Sequence, residues 1–522
     1  MSVEHVLIAG LWRQSNHNGT FNAENPALGK KLNEKFPVSD WQDCDFALSA
    51  AVKAARALRT IPSTKLAVFL DLYAQNIEGS SDALIEIANR ETGLPSLPRL
   101  AKVELPRTTA QLRQGATAAR EGSWTHAIID RKLNIRSHFA PIGPVVIFGP
   151  NNFPFAFNGV SGGDFTAAIA AGNPVIAKAH PLHPGTSKLL AECAFDALKE
   201  AALPLATVQM LFHISNDDGL RLVADTRVGA TSFTGSRSAG LRLKTAADMA
   251  GRPIYLEMSS LNPVVLLPGA LMRRSEEIAA ELADSCLAAS GQFCTSPNIL
   301  LSIAGDKTEL LISKLANIFQ SRSPQPLLSQ RGLNNLDEGV RGLVQSGAEV
   351  ITGAEPLAGE GYCYRNTLLR AMAEKFLSAG GAMQREAFGN STLVVTAKNA
   401  LELLKVIESL DGSLTGSIYS STTGEDDAVY STIAAELRHR VGRLLNDKVP
   451  TGVALSPAMN HGGPYPSTGH PGFTAVGIPA SMMRFGKLEC YDNVRPQHLP
   501  AVLQDQSPNP AMWRQVDGEW TH

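Results

Sequence analysis

One cysteine of the chain lies where a thiol can react. Cys294 follows Gly291, which ends a predicted helix over residues 275–290, so its thiol is expected in a turn between polar neighbours. Exposure there can lower its pKa from the ~8.5 of a free thiol, and the thiolate is the form that attacks electrophilic carbon. Cys286 shares one face of that helix with apolar residues at four-residue spacing, which indicates a core thiol. Cys294 is therefore the candidate nucleophile, with an ordinary loop cysteine as the alternative.

A strand-to-helix turn supplies a candidate anion site. Gly235 and Ser236 lie between a predicted strand at 229–233 and a predicted helix at 238–249, with Gly240 in its first turn. A helix N-terminus offers free N–H donors and positive potential to a phosphate. The Gly-x-Gly-x-x-Gly fingerprint of dinucleotide sites is absent here, so a plain capped helix stays an alternative.

With three further segments, these features resemble the aldehyde dehydrogenase superfamily. Gly-Gln-Phe-Cys at 291–294 is similar to the family's nucleophile motif, and Phe-Thr-Gly-Ser at 233–236 to the turn that faces the cofactor pyrophosphate. The other similar segments are Asn-Phe-Pro at 152–154, Leu-Glu-Met-Ser-Ser at 256–260 and Glu-Ala-Phe-Gly-Asn at 386–390. The family has Trp before the first of these, Gly-Gly in the second and Pro at the end of the third. Five motifs in family order, within a resemblance from about Gly10 to Gly477, identify the chain as a member.

The resemblance implies a catalytic cycle. Cys294 adds to the aldehyde, and the Asn152 amide with the Cys294 backbone N–H stabilises the oxyanion of the thiohemiacetal. Hydride then leaves to a nicotinamide, and Glu257 activates the water that cuts the resulting thioester. Glu386 is expected to hold the nicotinamide ribose and Phe388 to support the ring.

One departure from the family bears on cofactor choice. Lys178-Ala179-His180-Pro181 replaces the family's Lys-Pro-Ser-Glu, whose Lys and Glu clasp the adenosine ribose. A carboxylate beside the ribose repels a 2′-phosphate. Because Pro181 removes that acid while Lys178 stays and His180 is added, we expect NADP to serve at least as well as NAD.

Substrate expectations rest on a branch of the family. Residues 172–187 and His-Gly-Gly-Pro-Tyr-Pro at 461–466 resemble a branch with α-ketoglutarate semialdehyde (2,5-dioxopentanoate) dehydrogenases and NADP-dependent fatty aldehyde dehydrogenases. A short dioxo acid needs an arginine fork, whereas a fatty aldehyde needs an apolar tunnel. The family places residues 107–113 beside the substrate entrance, so Arg107 or Arg113 is the candidate, with a solvated helix face as the alternative.

The expected reaction is therefore oxidation of the semialdehyde to 2-oxoglutarate. A fatty or broad-range aldehyde dehydrogenase is the alternative within the branch. An acylating enzyme would pass the thioester to coenzyme A, but retention of Glu257 favours hydrolysis. A catalytically silent binding or structural homologue is the alternative of another class, and the intact set of Asn152, Glu257, Cys294 and Glu386 argues against it.

The elements that must position these residues follow an α/β pattern. From Pro144 onward, short apolar runs alternate with longer amphipathic ones, which is typical of βαβ units on a parallel sheet. A strand at 145–148, a helix at 155–171 and a β-hairpin at 123–136 are among the predicted elements.

The resemblance implies an aldehyde dehydrogenase-like fold. A Rossmann-type cofactor-binding domain would comprise residues 1–121 and 142–258, and a second α/β domain, catalytic, residues 259–458. Residues 122–141 and 459–522 would form a small β oligomerisation extension and the C-terminal segment, in a homodimer or homotetramer.

Composition excludes several other classes of protein. The 522 residues are 44% hydrophobic with a net charge of −2 and no long run of like charges, which disfavours a nucleic-acid binder. No apolar stretch is long enough to span a membrane. The six cysteines form no C-x-x-C pair and no zinc spacing with histidine, so no metal is expected. The opening residues lack the pattern of a signal peptide, and we expect the cytoplasm.

Overall fold

The first of two large sheets lies at the centre of the N-terminal half of the chain; the computed structural model describes residues 2–522. Five parallel strands carry a two-stranded antiparallel extension at one edge. In spatial order the strands are Ile254–Glu257, Ala230–Thr234, Val145–Phe148, Val175–Lys178, Val208–Leu211, Val6–Ile8 and Leu11–Arg13. The parallel strands are short apolar runs because helices cover both of their faces. The predicted α/β class is confirmed.

The chain order of this sheet places the candidate residues together. From Val145–Phe148 the chain winds outward in one direction and then, from residue 230, in the other. Lys178 and Phe233 lie beside Phe148 in register, and Thr234 lies beside Glu257. Ligands of open α/β sheets bind at the carboxyl ends of the strands where the winding direction changes.

Helices pack on both faces of the first sheet and around its edges. They are Trp41–Leu58, Ser63–Gly79, Ser81–Thr92, Leu105–Glu121, Gly163–Ala170, Pro184–Glu200, Asn216–Ala224 and Arg237–Met249, with an irregular π-helical segment at Ser96–Glu104. Buried aliphatic and aromatic side chains of most of these helices and strands form one large core, and the helix Arg237–Met249 packs with the strand Ile254–Glu257 in a smaller one.

The predicted helix at 155–171 is wrong in its first half. Only Gly163–Ala170 is helical, and the residues before it form tight turns. Asn158 explains the difference, since its side chain donates to the Pro154 carbonyl and accepts from the Val160 N–H. Such local bonds compete with helical ones.

The second large sheet belongs to the C-terminal half. Its strands, in spatial order, are Glu349–Thr352, Thr367–Met372, Ser391–Ala397, Ile299–Ile303, Val264–Leu266, Ser413–Tyr419 and Val441–Asn446, all parallel except the first. Its helices are Pro268–Leu287, Asp306–Ser321, Gln330–Gln345, Ala373–Ala379, Ala400–Ser409 and Asp427–Arg440. The helix predicted at 275–290 therefore starts earlier, with a kink at Arg274, and ends at Leu287.

A third sheet joins the predicted hairpin to the end of the chain. Its strands, in spatial order, are Gly486–Asp492, Ile135–Pro141, Ile128–Asp130, Arg514–Val516 and Glu519–Thr521. Smaller sheets comprise His213–Ile214, Phe36–Ser39 and His17–Phe21, and Glu24–Asn25 with Lys30–Lys31. The predicted hairpin is present, but it comprises Ile128–Asp130 and Ile135–Pro141, and the residues Ser123–Thr125 form a 3₁₀ turn instead. The domain boundaries stay a prediction. Within residues 2–522, no helix combines the length and apolar character needed to cross a bilayer.

Candidate active site

The nucleophile candidate lies in a loop that two other segments hold in place. A short 3₁₀ turn, Ala288–Gly291, links the helix Pro268–Leu287 to Cys294. The Asn262 side chain donates to the Cys294 carbonyl at 2.9 Å. Gly291 has a φ of 68°, and a Cβ there would collide with the Gly389 carbonyl oxygen, so glycine is required. The loop thus packs directly against the segment that follows Glu386.

A histidine joins the candidate nucleophile to the candidate base. His461 Nε2 lies 3.4 Å from Cys294 Sγ and 3.1 Å from Glu257 Oε1. His461 and Glu257 are almost fully buried, at 1% and 2% exposure. The second oxygen of Glu257, Oε2, is buried without a hydrogen-bond partner among the described residues. We name Cys294, His461 and Glu257 the catalytic cluster.

The chain brings His461 there by pairing a late segment with the strand that ends in Glu257. The Met258 N–H donates to the Ser467 carbonyl, and Glu257 forms a β-bridge with Thr468. Sequence reasoning used His461 only as part of a branch resemblance and assigned no role to it. Its position in a His-Gly-Gly turn was the available signal, but nothing local connects it to a cysteine 167 residues away.

The electrostatics of Cys294 correct the sequence expectation. Burial raises the pKa of its thiol well above the usual range, and the nearby carboxylates of Glu257 and Glu386 raise it further. The positive charge of the Arg107 guanidinium opposes them. The thiol is half-buried, not exposed, and its pKa is raised, not lowered. The neutral thiol therefore needs a proton acceptor before it can attack, and His461 Nε2 is within reach.

Asn152 lies against the nucleophile loop. It follows the strand Val145–Phe148 and is 7% exposed. Its side-chain amide donates to the Gln292 carbonyl at 2.9 Å, two residues before Cys294. The structure thus brings the predicted oxyanion donor to the predicted nucleophile segment.

The predicted anion-binding turn leads from the strand end into a helix. Ser236 caps Arg237–Met249, its hydroxyl accepting from the Ala239 N–H. The Gly235 N–H donates to the Glu257 carbonyl at 3.1 Å, which ties this turn to the catalytic cluster. A Cβ on Gly240 would press on the side chains of Met258 and Phe233, at 3.1 and 3.2 Å. The glycine lets the helix pack closely on the neighbouring strand.

Glu386 and Phe388 are both half-buried, and Gly389, the residue after Phe388, lies against Gly291 of the nucleophile loop. Burial raises the pKa of Glu386 to about 7, against opposing hydrogen bonds from the Ser259 hydroxyl and the Ser260 N–H. Ser259 is one of the two serines that replace the family's glycines. The charge of Glu386 also acts on Cys294, so the structure brings Glu386 close to the predicted nucleophile.

A group of bases follows the adjacent strand end. Burial lowers the pKa of Lys178 to about 8. Burial, helped by nearby His183, Lys178 and His213, lowers the pKa of His180 well below its usual range. His213 Nδ1 is buried without a hydrogen-bond partner among residues 2–522. The sequence did not indicate His213, because it comes from a different strand. Among residues 2–522, no carboxylate is among the groups that shift the pKa values of Lys178 and His180.

The structure places the two candidate substrate arginines, Arg107 and Arg113, in different environments. Arg113 forms a surface ion pair with Glu78 at 2.6 Å, so the structure does not bring it to the site and we no longer assign it to substrate. Arg107 is largely buried; its Nη1 donates to the Val453 carbonyl, while Nε and Nη2 have no partner in the described chain. Arg443 was missed. It donates to the Pro450 carbonyl at 2.7 Å, and its Nε is likewise unpartnered.

Both arginines lie close enough to Cys294 that a thiolate there raises the pKa of each guanidinium. Burial lowers the pKa of each, and their positive charges act on one another. The site therefore contains two buried guanidinium groups near the nucleophile. Neither has a carboxylate partner among the salt bridges of residues 2–522.

The catalytic cluster also has the composition of a metal site, although the sequence predicts none. One ligand atom each of Glu257, Cys294 and His461 lies within 4.8 Å of the others. The same contacts suit proton transfer between thiol, imidazole and carboxylate. We interpret the cluster as acid–base machinery.

Known proteins share this arrangement of sequence and fold. The model of the aldehyde dehydrogenase family matches residues 12–459. Alpha-ketoglutaric semialdehyde dehydrogenase 2 of Azospirillum brasilense is 35% identical over 97% of this chain and 98% of its own length. An alpha-ketoglutaric semialdehyde dehydrogenase of Acinetobacter baylyi is 34% identical over 91% of this chain and 90% of its own. The crystal structure of lactaldehyde dehydrogenase from Escherichia coli superposes with a TM-score of 0.81 at 21% identity, covering 94% of this chain and 98% of that one.

Proposed function

The chain belongs to the aldehyde dehydrogenase family, and from this premise we propose that it oxidises α-ketoglutarate semialdehyde to 2-oxoglutarate. The predicted family, fold and NAD(P)-dependent aldehyde oxidation are confirmed. The substrate and the residue roles below are proposals. The contact of Cys294 with His461 and of His461 with Glu257 is the observation that carries the catalytic assignment.

Proton transfer from Cys294 begins the reaction. His461 Nε2 accepts the thiol proton, and the resulting imidazolium is stabilised by Glu257 at 3.1 Å. The thiolate then adds to the aldehyde carbon and forms a thiohemiacetal. The positive charges of Arg107 and Arg443 favour this anionic chemistry.

Asn152 stabilises the charge that develops on the aldehyde oxygen. Its amide donates to the Gln292 carbonyl in the described structure, so it exchanges this acceptor for the oxyanion when substrate binds. A preorganised donor of this kind lowers the barrier by about 3 kcal/mol. NAD or NADP, when bound, supplies the acceptor for the hydride.

Hydrolysis of the thioester requires a base, and Glu257 is placed to act. Its Oε1 contacts His461, whereas its buried Oε2 is free to accept a hydrogen bond from water. Deprotonated water attacks the thioester carbon, the carbon–sulfur bond breaks, and the carboxylate product leaves. Retention of this carboxylate favours hydrolysis over transfer to coenzyme A.

The residues at the strand ends fit a dinucleotide. Gly235 and Ser236 begin the helix whose N-terminus would hold the pyrophosphate. Glu386 and Phe388 would hold the nicotinamide ribose and ring. Lys178 carries a buried amine, and no acid accompanies the basic group at the adenosine end.

The basic group favours NADP. A 2′-phosphate supplies the anion that the buried Lys178 amine lacks. The unpartnered Nδ1 of His213, whose pKa is lowered by burial to about 4, is an orphan polar atom that such a ligand can satisfy. NADP is therefore the proposed preferred cofactor, and NAD the second.

Arg107 and Arg443 support an acidic substrate. A buried cation without a counter-ion is costly, and a substrate carboxylate removes that cost through charge-assisted hydrogen bonds. The unpartnered Nε and Nη2 of Arg107 form a fork suited to a carboxylate. A fatty aldehyde offers no such partner, so the arginines favour the semialdehyde acid over the fatty or broad-range alternative.

The proposed assembly is a homodimer or homotetramer in the cytoplasm. The third sheet exposes large apolar side chains on short strands, including Leu488 and Trp520. Such surface is typical of an interface with a second copy. All six cysteines are free thiols, which suits a reducing compartment.

An aldehyde panel with both cofactors, followed through absorbance of the reduced nicotinamide, tests the proposal. We expect the semialdehyde acid with NADP to give the highest kcat/KM, and Cys294→Ala to abolish turnover of every aldehyde. Hexanal turned over as efficiently as the semialdehyde would refute the substrate. Undiminished cofactor reduction by Cys294→Ala would refute the mechanism.

A further inference from the structure

A buried arginine outside the predicted motifs touches both halves of the proposed oxyanion site. Arg99 lies in the π-helical segment Ser96–Glu104 and is 8% exposed. Its guanidinium carbon lies 4.5 Å from the centre of the Phe153 ring and 4.4 Å from that of Phe293. Phe153 follows Asn152 and Phe293 precedes Cys294, so one side chain is held between the two loops that carry the chemistry. Cation–π contacts gain strength in such desolvated surroundings.

The partner of Arg99 is a carboxylate that holds the same loop. Glu104 is fully buried and accepts from Arg99 Nη2 at 2.6 Å. Its other oxygen accepts from the backbone N–H groups of Phe155 and Ala156, each at 3.2 Å. Replacement of a buried ion pair by apolar residues is often neutral or stabilising, so stability alone does not account for the pair.

A third contact reaches Asn152 itself. Arg99 Nη2 donates to the Asn152 backbone carbonyl at 2.9 Å, while the side-chain amide of Asn152 donates to Gln292. The guanidinium thus fixes the backbone of the residue whose amide faces the nucleophile loop.

We propose that Arg99, held by Glu104, is a positioning residue that sets the Asn152 amide relative to Cys294. This inference rests on the proposed oxyanion role of Asn152. Arg99 acts through Asn152 and the loop of Phe293. Its loss therefore lowers kcat through a misplaced donor and leaves KM nearly unchanged.

A double-mutant cycle tests the proposal on the full-length enzyme. We expect Arg99→Lys to lower kcat about 100-fold, because a misplacement of about 1 Å costs that much. Asn152→Ala removes an oxyanion donor and lowers kcat about 100-fold to 1,000-fold. In the double variant the two losses should not multiply, and kcat should stay within about threefold of Asn152→Ala alone, since residues that act as a unit are not additive.

Alkylation of Cys294 by iodoacetamide supplies a readout independent of the oxyanion. Its rate, followed by mass spectrometry of the peptide that contains Cys294 because Cys490 is also an exposed free thiol, reports the Cys294 thiol without an aldehyde present. We expect this rate to be unchanged in Arg99→Lys. Arg113→Lys is the matched control, because that arginine pairs with Glu78 at the surface, and it should retain full kcat.

Several outcomes would overturn the inference. Losses that multiply in the double variant would show that Arg99 acts independently of Asn152. A fall in alkylation parallel to kcat would assign Arg99 a general structural role, and a rise in KM confined to acidic aldehydes would make it a substrate contact. If Arg99→Lys does not fold, Glu104→Gln enters the same cycle with the same expectations. Full kcat in Asn152→Ala would instead refute the oxyanion assignment of the proposed function.

Discussion

The catalytic cluster and the two arginines near it, Arg107 and Arg443, differ in whether their side chains contact an ionisable partner. Cys294 contacts His461, and His461 contacts Glu257, so each group can exchange a proton with its neighbour. Arg107 and Arg443 are also buried, yet their hydrogen bonds reach only backbone carbonyls and a thioether and leave nitrogen atoms unpartnered.

The difference separates groups that transfer protons in catalysis from groups that bind a ligand. A unit that moves protons must contain its own donor and acceptor before substrate arrives. Burial of a cation without a counter-ion costs free energy of folding. A protein can retain such a cation when a bound ligand supplies the missing anion. The same holds for Lys178 at the adenosine end, whereas the lowered pKa values of His180 and His213 leave those imidazoles neutral.

Removal of one member of the catalytic cluster gives the largest expected effect. Glu257→Gln keeps the shape but not the base, so kcat should fall about 1,000-fold. Because adduct formation and hydride loss precede hydrolysis, a first-turnover burst of reduced cofactor equal to the number of sites should remain. Its rate should fall, because the His461 imidazolium loses the charge of Glu257. Rapid-mixing absorbance measures these quantities.

Glu277→Gln, an exposed carboxylate on the helix Pro268–Leu287, is the control and should behave as wild type. Loss of the burst along with steady turnover would place Glu257 before hydride loss. The cluster would then act as one unit in the first step, and the separate hydrolytic role would be wrong.

Removal of the unpartnered Arg107 guanidinium should weaken binding of the acidic substrate instead. In Arg107→Met, KM for the semialdehyde acid should rise about 30-fold, the value of one strong charged hydrogen bond. Turnover of hexanal should not decline, since it has no carboxylate. Arg113→Met lies on the same helix and supplies the control. An equal loss for both aldehydes would show that Arg107 serves mainly to hold the loop through Val453.

The sequence predicted groups that lie in local motifs better than groups that are isolated in the chain. Cys294, Glu257 and Asn152 lie in motifs with local spacing, and the structure brings them to one site. His461 and Arg443 are isolated in sequence, and only the pairing of distant segments brings them close. The sign of the Cys294 pKa shift was wrong because local neighbours revealed neither the burial of the thiol nor the carboxylates of Glu257 and Glu386.

The smallest effect concerns pH at the adenosine end. Burial lowers the pKa of Lys178 to about 8, so its amine is charged below that pH and neutral above it. If only the charged form binds the 2′-phosphate, KM for NADP should rise about tenfold between pH 7 and pH 9, because the charged fraction of such a base falls by that factor.

KM for NAD should change little over the same range, since NAD has no 2′-phosphate. Lys178→Arg should abolish the NADP trend, because a guanidinium stays charged throughout it. Initial rates at varied cofactor concentration measure each value. A parallel rise for both cofactors would mean that Lys178 binds the shared ribose hydroxyls, and the basic group would then not select the phosphate. A trend confined to NADP would instead indicate that Lys178, like the two buried arginines, obtains its anionic partner from a bound ligand.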